Sequence, residues 1–88
     1  MRLKMVEGEV VRGEGGWYIK SSRAKRDRLV WELFDENYKS QDRNFDLHWL
    51  ISDHRELFPE YIKEIKESRM YKFEEFERLF GEREAVKR

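Results

Sequence analysis

Residues 3–20 of the chain have the sequence LKMVEGEVVRGEGGWYIK. Up to Arg12, apolar and charged residues interleave, which is typical of a strand with one face in a core and the other in water. The glycine-rich segment 13–16 supplies the positive φ angles that a tight turn needs. Trp17 then begins a second run of β-favouring residues. The pattern predicts an N-terminal β-hairpin over about residues 4–20, and because two strands alone are marginal in water, the hairpin must pack on other elements.

The segment Gly8–Ile19 resembles the opening hairpin of the OB domain in ribosome-assembly GTPases of the RsgA type. That domain is a five-stranded barrel, whereas the rest of this chain predicts helices where the further strands would follow. The resemblance therefore implies a hairpin here, and no function is carried over from that family.

Downstream of the hairpin, apolar residues fall at helical spacing in several segments. They predict three to four short helices, over about residues 22–37, 45–57, 59–67 and 69–80. Residues typical of helix starts and ends flank these segments: Ser21 and Ser22, Asn44, Pro59, Ser68 and Gly81. The predicted fold class is α+β, in a single domain 1–88 whose charged tail frays from about residue 82.

The segment Leu29–Phe34 admits two interpretations. The pairs 29/30 and 33/34 lie on one face of a helix, which favours the predicted helix 22–37. Leu29, Trp31 and Leu33 also alternate, which is typical of a third strand. The continuous pairing favours the helix, and the strand stays open as the alternative.

The composition points away from catalysis. The 88 residues include three Trp, four Tyr and six Phe but no Cys and two His, and 43% of them are charged with a net charge of zero. Without cysteine there is neither a disulfide framework nor a thiolate metal site, which is compatible with a reducing cytoplasm. No apolar run approaches the ~20 residues that span a membrane, so no membrane partner is expected and the predicted location is cytoplasmic.

The two histidines do not form a recognisable site. His48 and His54 are six residues apart, whereas zinc-binding pairs on a helix are three or four apart. The glycines of segment 13–16 precede a strand and lack the Lys-Ser/Thr pair of a P-loop. We therefore expect no enzyme activity, no catalytic residues, no metal and no cofactor.

The acidic C-terminal half is the predicted protein-binding surface. In so small a domain Phe73, Phe76 and Phe80 cannot all be buried, so one of these rings or Tyr71 is expected to remain exposed as an anchor. The predicted protein-binding residues are Tyr71, Glu74, Glu75 and Glu77. The favoured function is that of a small regulatory or adaptor protein that occupies a partner's surface. Small charged, aromatic-rich chains of this kind are common among virus-encoded modulators and inhibitors of host machinery.

A basic stretch at residues 17–28 supports the alternative function, nucleic-acid binding. Basic side chains neutralise phosphates, and neighbouring aromatic rings stack on unpaired bases. The predicted nucleic-acid-binding residues are Trp17, Tyr18, Lys20, Arg23, Lys25, Arg26 and Arg28. The competing interpretation is a solvated basic face with Trp17 in the core under the hairpin.

Overall fold

A computed structural model gives the structure of residues 8–81. These residues form an antiparallel sheet of four strands in the order β1-β2-β3-β4, followed by three helices. The strands are β1 (Val10–Arg12), β2 (Tyr18–Arg23), β3 (Leu29–Phe34) and β4 (Ser40–Asn44). The helices are α1 (Leu47–Asp53), α2 (Pro59–Ser68) and α3 (Phe73–Phe80). The predicted α+β class is confirmed.

The predicted hairpin is confirmed for the residues that the structure describes. β1 pairs with β2 in an antiparallel register that sets Val11 opposite Ile19. The turn contains a short 3-10 segment, Glu14–Gly16, in which Gly15 and Gly16 have φ angles of 63° and 87°. Glycine adopts such angles without the clash that a Cβ brings, so the glycines occur where the turn requires them.

The predicted helix over residues 22–37 is wrong, and Leu29–Phe34 forms β3, which was the strand alternative. β3 is a central strand, because it pairs with β2 on one side and with β4 on the other. Successive side chains of a strand point to opposite faces. Trp31 and Leu33 therefore enter the core, whereas Phe34 lies on the other face. Pairing on both sides overrides the local helical spacing, as tertiary context commonly does.

The chain between β2 and β3 turns too tightly for a helix to begin there. Arg26 and Asp27 both have left-handed backbone angles, with φ of 63° and 59°. Ser21 and Ser22, predicted as a helix start, lie in β2. Ser21 is buried, and its Oγ accepts a hydrogen bond of 2.9 Å from the backbone N–H of Glu9. The serine that resembled a helix cap thus fastens the segment before β1 to β2.

The predicted helix 45–57 is replaced by the shorter α1 and a separate 3-10 segment, Arg55–Leu57. The N-cap of α1 is Asp46 and not Asn44. Asp46 Oδ1 accepts a hydrogen bond of 3.1 Å from the backbone N–H of Trp49, which satisfies one of the donors that the first helical turn leaves free.

Pro59 and Gly81 mark helix boundaries as predicted, whereas the predicted start of the last helix is wrong. Pro59 begins α2, where its missing N–H costs nothing. Ser68, predicted as the cap of the last helix, is instead the last residue of α2, and Arg69 ends that helix with a left-handed φ of 59°. α3 consequently begins at Phe73 and not at residue 69, and Gly81 follows its last residue as predicted.

One hydrophobic core lies between the sheet and the helices. Its buried residues come from both layers: Val11, Ile19, Trp31, Leu33, Leu47, Leu50, Ile51, Phe58, Ile65 and Phe80. Each buried aromatic ring removes roughly 150–250 Å² from water, which compensates for the thin core of a small domain. Because strands alternate, the side of the sheet that faces away from the helices carries the other half of its side chains.

Residues 1–7 and 82–88 lie outside the described residues. The start of the predicted hairpin range and the predicted fraying of the tail from residue 82 therefore stay predictions. Within residues 8–81, no helix combines the length and the apolar character needed to cross a membrane.

Candidate partner-binding surfaces

One face of α3 is aromatic. Phe73, Phe76 and Phe80 recur at spacings of three and four, which places them on one side of the helix. Their exposure changes along the helix: Phe80 is 6% exposed and belongs to the core, Phe76 is half-buried, and Phe73 is 73% exposed. The rings of Phe76 and Phe80 lie 5.3 Å apart between centroids. The aromatic stripe thus leaves the core and continues into solvent at Phe73.

The C-terminal end of α3 is fixed to α1 and to the segment that follows it. Ser52 Oγ and Arg55 Nη2 both donate hydrogen bonds to the backbone oxygen of Leu79, the latter at 3.0 Å. The last carbonyl groups of a helix have no acceptor role inside the helix, so these two donors satisfy a group that would otherwise need water. They also set the direction in which α3 leaves the core.

A groove of about 710 Å³ lies between α2 and α3, and we call it the α2–α3 groove. Its apolar lining residues are Pro59, Ile62, Phe76 and Phe80, and its charged ones are Arg55, Glu56, Lys63 and Lys66. The groove continues past Lys66 and Phe76 into a smaller depression of about 180 Å³ beside Arg69 and Phe73. Lys66 Nζ lies 6.0 Å from the centroid of the Phe76 ring. An apolar floor therefore runs beneath a rim in which cations outnumber anions.

The predicted acidic residues Glu74, Glu75 and Glu77 are all exposed on α3. None of these three carboxylates lines the α2–α3 groove or the smaller depression beside Phe73. Glu75 Oε1 accepts a hydrogen bond of 3.1 Å from the backbone N–H of Lys72, which stabilises the start of α3. Glu74 and Glu77 make no side-chain hydrogen bond within residues 8–81.

Tyr71, one of the four rings considered as a possible anchor, is half-buried. Its hydroxyl group lies 2.6 Å from His48 Nδ1, and its ring lies 6.2 Å from that of Phe80 between centroids. Burial lowers the pKa of His48 and raises the pKa values of Tyr71 and Tyr61. Tyr71 thus joins the loop before α3 to α1, and the exposed ring that the sequence led us to expect is Phe73.

The predicted nucleic-acid-binding residues are spread along β2 and the turn that follows it. Trp17 is half-buried and packs against the core. Tyr18 and Lys20 lie in β2 on the face away from the helices. Five residue steps along the strand separate Tyr18 from Arg23, a distance of about 17 Å. The structure therefore does not bring the two predicted aromatic residues next to the cations of the turn.

The cations of the β2–β3 turn differ in their surroundings. Arg23 Nη1 lies 3.6 Å from Asp27 Oδ1. The pair is exposed, and exposed ion pairs contribute little stability. The guanidinium group of Arg28 lies 4.0 Å from the centroid of the Phe45 ring, in a cation–π contact. Lys25 and Arg26 are exposed and make no ion pair within residues 8–81, so they are the turn cations that can reach a phosphate group.

The side of the sheet away from the helices, which we call the outer face, carries a second aromatic cluster. The residues of the outer face are Val10, Arg12, Tyr18, Lys20, Ser22, Val30, Glu32, Phe34, Ser40 and Arg43. Of these, only Val30 is buried. The rings of Tyr18 and Phe34 stack with centroids 5.1 Å apart and planes 16° apart. Tyr38, in the turn before β4, is 77% exposed and meets Tyr18 edge-on at 6.3 Å.

Phe34 and Tyr38 were not among the residues predicted for a site. In the predicted helix 22–37, Phe34 faced inward. The signal that could have found it is the alternation of Leu29, Trp31 and Leu33, since a strand with those residues in the core places Phe34 on the opposite face.

The two histidines have different partners and do not converge. His48 contacts Tyr71, whereas His54 Nε2 lies 2.8 Å from Asp42 Oδ2. The hydrogen bond from His54 holds the pKa of Asp42 below its ordinary value. Within the part of the chain that the structure describes, no group of three or more potential ligands could hold a metal ion.

No family model, no curated protein and no solved structure matches this chain.

Proposed function

We propose that this protein acts by binding a protein partner along the α2–α3 groove and the adjoining depression beside Phe73, and not by catalysis. The observation that carries the proposal is the Phe73 ring, 73% exposed at the open end of a stripe that begins in the core. An exposed aromatic ring on a well-anchored helix loses little conformational freedom when a partner covers it. Rings of this kind supply much of the affinity of small interfaces.

The groove favours a partner segment that carries apolar side chains flanked by carboxylates. Ile62 and Phe76 offer an apolar floor, and Lys63 and Lys66 stand on its rim. Its volume of about 710 Å³ holds several side chains, as in complexes where an amphipathic helix lies in a groove. The exposed carboxylate of Glu74, outside the groove, repels an acidic segment, which favours approach from the α2 side.

This mode of action is that of a regulatory or adaptor protein, or of an inhibitor, since occupying a partner's surface is all that it requires. We place it in the cytoplasm, because a chain without cysteine is compatible with a reducing compartment. A virus-encoded modulator of host machinery would act in the same way.

Affinity purification from the native host, with and without nuclease, tests the proposal. The wild-type protein should retain one partner protein after nuclease treatment. Phe73→Ala should weaken that partner on the order of 30-fold, because truncating an anchor costs about 2 kcal/mol or more. The same variant should unfold within about 0.5 kcal/mol of wild type, as exposed substitutions usually do. Lys63→Glu with Lys66→Glu should abolish recovery of an acidic partner.

Two control variants match these changes elsewhere on the surface. Trp49→Ala removes a ring of α1 that is 51% exposed, and Arg78→Glu reverses a cation on α3 outside the groove. Neither should change recovery of the partner. Full recovery with Phe73→Ala, or equal losses with the controls, contradicts binding in the groove.

Nucleic-acid binding through residues 17–28 is a second candidate function. It is favoured by the exposure of Lys20, Lys25 and Arg26, which lie along one strand and its following turn. Phosphate contacts predict that affinity falls steeply with added salt. Lys25→Ala with Arg26→Ala should weaken any oligonucleotide binding, and recovery of the bound material should be sensitive to nuclease. If this double variant binds oligonucleotides as tightly as the wild-type protein does, Lys25 and Arg26 do not contribute to nucleic-acid binding.

A further inference from the structure

The outer face of the sheet combines stacked rings with cations. Tyr18 and Phe34 stand opposite each other on the two central strands, and the exposed Tyr38 extends the cluster beyond the end of β3. Most aromatic residues of a small domain are needed in its core. Of the three rings on the side away from the core, Tyr38 is 77% exposed, whereas Tyr18 and Phe34 are half-buried and keep only part of their surface open for stacking.

Cations lie on both sides of this aromatic cluster. Arg12 is opposite Tyr18 on β1, and Lys20 follows on the same face of β2. Arg43 is opposite Glu32 on β4, and Glu32 is also opposite Lys20. Glu32, the one acid of the described outer face, therefore lies between two cations, and it also accepts a hydrogen bond from Ser40. The outer face keeps a net positive charge.

Two further acids, Asp35 and Glu36, lie in the β3–β4 turn, which carries Tyr38. Asp35 accepts hydrogen bonds from the backbone N–H groups of Lys39 and Asn37 and from the side chain of Gln41. These donors, the Lys39 N–H foremost, hold the pKa of Asp35 below its ordinary value. The carboxylate of Asp35 thus stabilises the turn that carries Tyr38. Glu36 is exposed beside it and reduces the local positive charge.

Three exposed side chains of this region stand at positions that glycine would fill at lower cost. Arg26 and Asp27, in the β2–β3 turn, and Tyr38, in the β3–β4 turn, have left-handed φ angles of 63°, 59° and 65°. Such angles cost a residue with a side chain roughly 1–2 kcal/mol relative to glycine. A cation and an aromatic ring occur at the two opposite ends of the outer face despite this strain, which commonly marks side chains with a role in function.

We propose that the outer face binds single-stranded nucleic acid, with unpaired bases against the Tyr18–Phe34–Tyr38 cluster and phosphates against Arg12, Lys20 and Arg43. This inference rests on the second candidate function and names both its ligand and its site. The strand runs along β2 from the aromatic cluster towards Lys25 and Arg26, so that one path joins the rings to the cations of the turn.

The aromatic rings favour a single strand over a duplex as the ligand of the outer face. Base pairs inside a duplex stack on one another, so their faces are not open to a protein ring, whereas unpaired bases are. Cations alone would serve either ligand. Binding of duplex phosphates would not require an exposed ring such as that of Tyr38 at a strained turn position.

Fluorescence anisotropy with labelled oligo(dT) and oligo(rU) of about 12 nucleotides tests the inference, since a small domain covers roughly 4–16 nucleotides. The wild-type protein should bind these strands more tightly than a duplex of the same length. Tyr18→Ala and Tyr38→Gly should each weaken single-strand binding about 5-fold to 100-fold, the loss of one stacked base. Lys20→Ala should reduce the slope of log affinity against log salt by about 0.7, the value for one phosphate on a single strand.

Two glycine variants separate a role in binding from a role in folding. Arg26→Gly should raise the unfolding midpoint, because it relieves backbone strain, and should still weaken oligonucleotide binding. Tyr38→Gly should stay close to wild type in stability, because relief of strain offsets the lost contact with Tyr18. Trp49→Ala and Arg78→Ala, which remove an exposed ring and an exposed cation from the helical layer, should bind oligonucleotides as wild type does.

Three results overturn the inference, and they can be told apart. If no oligonucleotide binds at low salt, the second candidate function fails with it. If single strands and duplex bind equally and only Lys25→Ala with Arg26→Ala weakens them, the nucleic-acid function stands and the outer face is not its site. If Tyr38→Gly leaves oligonucleotide binding unchanged but reduces recovery of a protein, the outer face belongs to a protein interface.

Discussion

Gly13 is required for close contact and not for its backbone angles, since its φ of −117° suits any residue. A Cβ atom at this position would lie 2.6 Å from the backbone oxygen of Leu57 and 2.8 Å from Phe58 Cε1. Gly13→Asn should therefore push the hairpin away from the segment before α2 and lower the free energy of unfolding by about 1–3 kcal/mol, the usual cost of overpacking. Chemical denaturation measures this change.

The same substitution at Gly15 is the control for Gly13. A Cβ atom at Gly15 meets its nearest neighbour at 3.9 Å, and the φ of 63° is one that asparagine tolerates. Gly15→Asn should unfold within about 0.5 kcal/mol of wild type. If the two variants are equally stable, the contact with Leu57 is not what selects glycine at residue 13.

His48 makes stability depend on pH. Burial lowers the pKa of His48 below the ordinary value of 6.5, against the opposing effect of Asp46. As pH falls through the window below 6.5, the unfolded chain takes up this proton before the folded one does, so the free energy of unfolding decreases. An NMR titration of the His48 ring should give a midpoint below 6.5, and His48→Phe should unfold with a weaker pH dependence over that window. A midpoint at or above 6.5 contradicts this reasoning.

Single residues could be predicted from the sequence where their reasons are local. Pro59 at the start of a helix and Gly15 in a tight turn follow from backbone angles that each residue sets by itself. The reasons for Gly13 and Ser21 are tertiary. Gly13 avoids a clash with Leu57, and Ser21 accepts a hydrogen bond from the backbone of Glu9. Neither of these contacts joins residues that are adjacent in the sequence.

At the scale of one element, α1 depends on its cap because it has only seven residues. Asp46→Ala removes the acceptor of the Trp49 N–H group and should lower the free energy of unfolding by about 0.5–2 kcal/mol. Asp53→Ala, at the other end of α1, removes an acid from a C-terminus where the helix dipole disfavours it, so stability should stay the same or rise slightly. Thermal unfolding of both variants measures the difference. A loss at Asp53 as large as that at Asp46 would contradict the special role of the Asp46 cap.

The element that the sequence could not settle is β3. Leu29–Phe34 satisfies the spacing of a helix face and the alternation of a strand, because five of its six residues are apolar. The choice is made by β2 and β4, which supply pairing partners on both sides. β4 has the sequence SQDRN, without the β-branched residues that predict a strand, so the partner that decides the matter is itself hard to recognise.

At the scale of the whole molecule, α3 closes the core and also forms one wall of the α2–α3 groove. Truncation after Ser68 removes the buried ring of Phe80 and the carbonyl group that accepts from Ser52 and Arg55. Loss of a large core side chain alone costs about 3–5 kcal/mol, a large part of the stability of a small domain. The truncated chain should be largely unfolded by circular dichroism and should not recover the partner. A folded truncated chain would show that the remaining residues form a sufficient core.

The candidate sites also have parts that could be predicted from the sequence and parts that depend on tertiary contacts. The sequence identified the exposed carboxylates of α3 and the cations of residues 20–28, because charged residues are exposed wherever they fall. It did not identify the groove or the aromatic cluster of the outer face. The groove depends on the orientation of α3, which the hydrogen bond from Arg55 to the Leu79 backbone oxygen helps to fix. The cluster depends on the pairing of Tyr18 with Phe34 across two strands.

The polar character of β4 has a consequence for behaviour at high concentration. Within residues 8–81, β4 is an edge strand. It carries backbone groups that β3 does not pair, and such an edge is a template on which a second sheet can grow into a fibre. Its five residues include one aspartate and one arginine, and a register shift interrupts its pairing near Phe34. Charge and irregularity at an edge both oppose the in-register stacking that amyloid requires. The strand that was hardest to recognise from the sequence is therefore the one that resists aggregation at that side of the sheet.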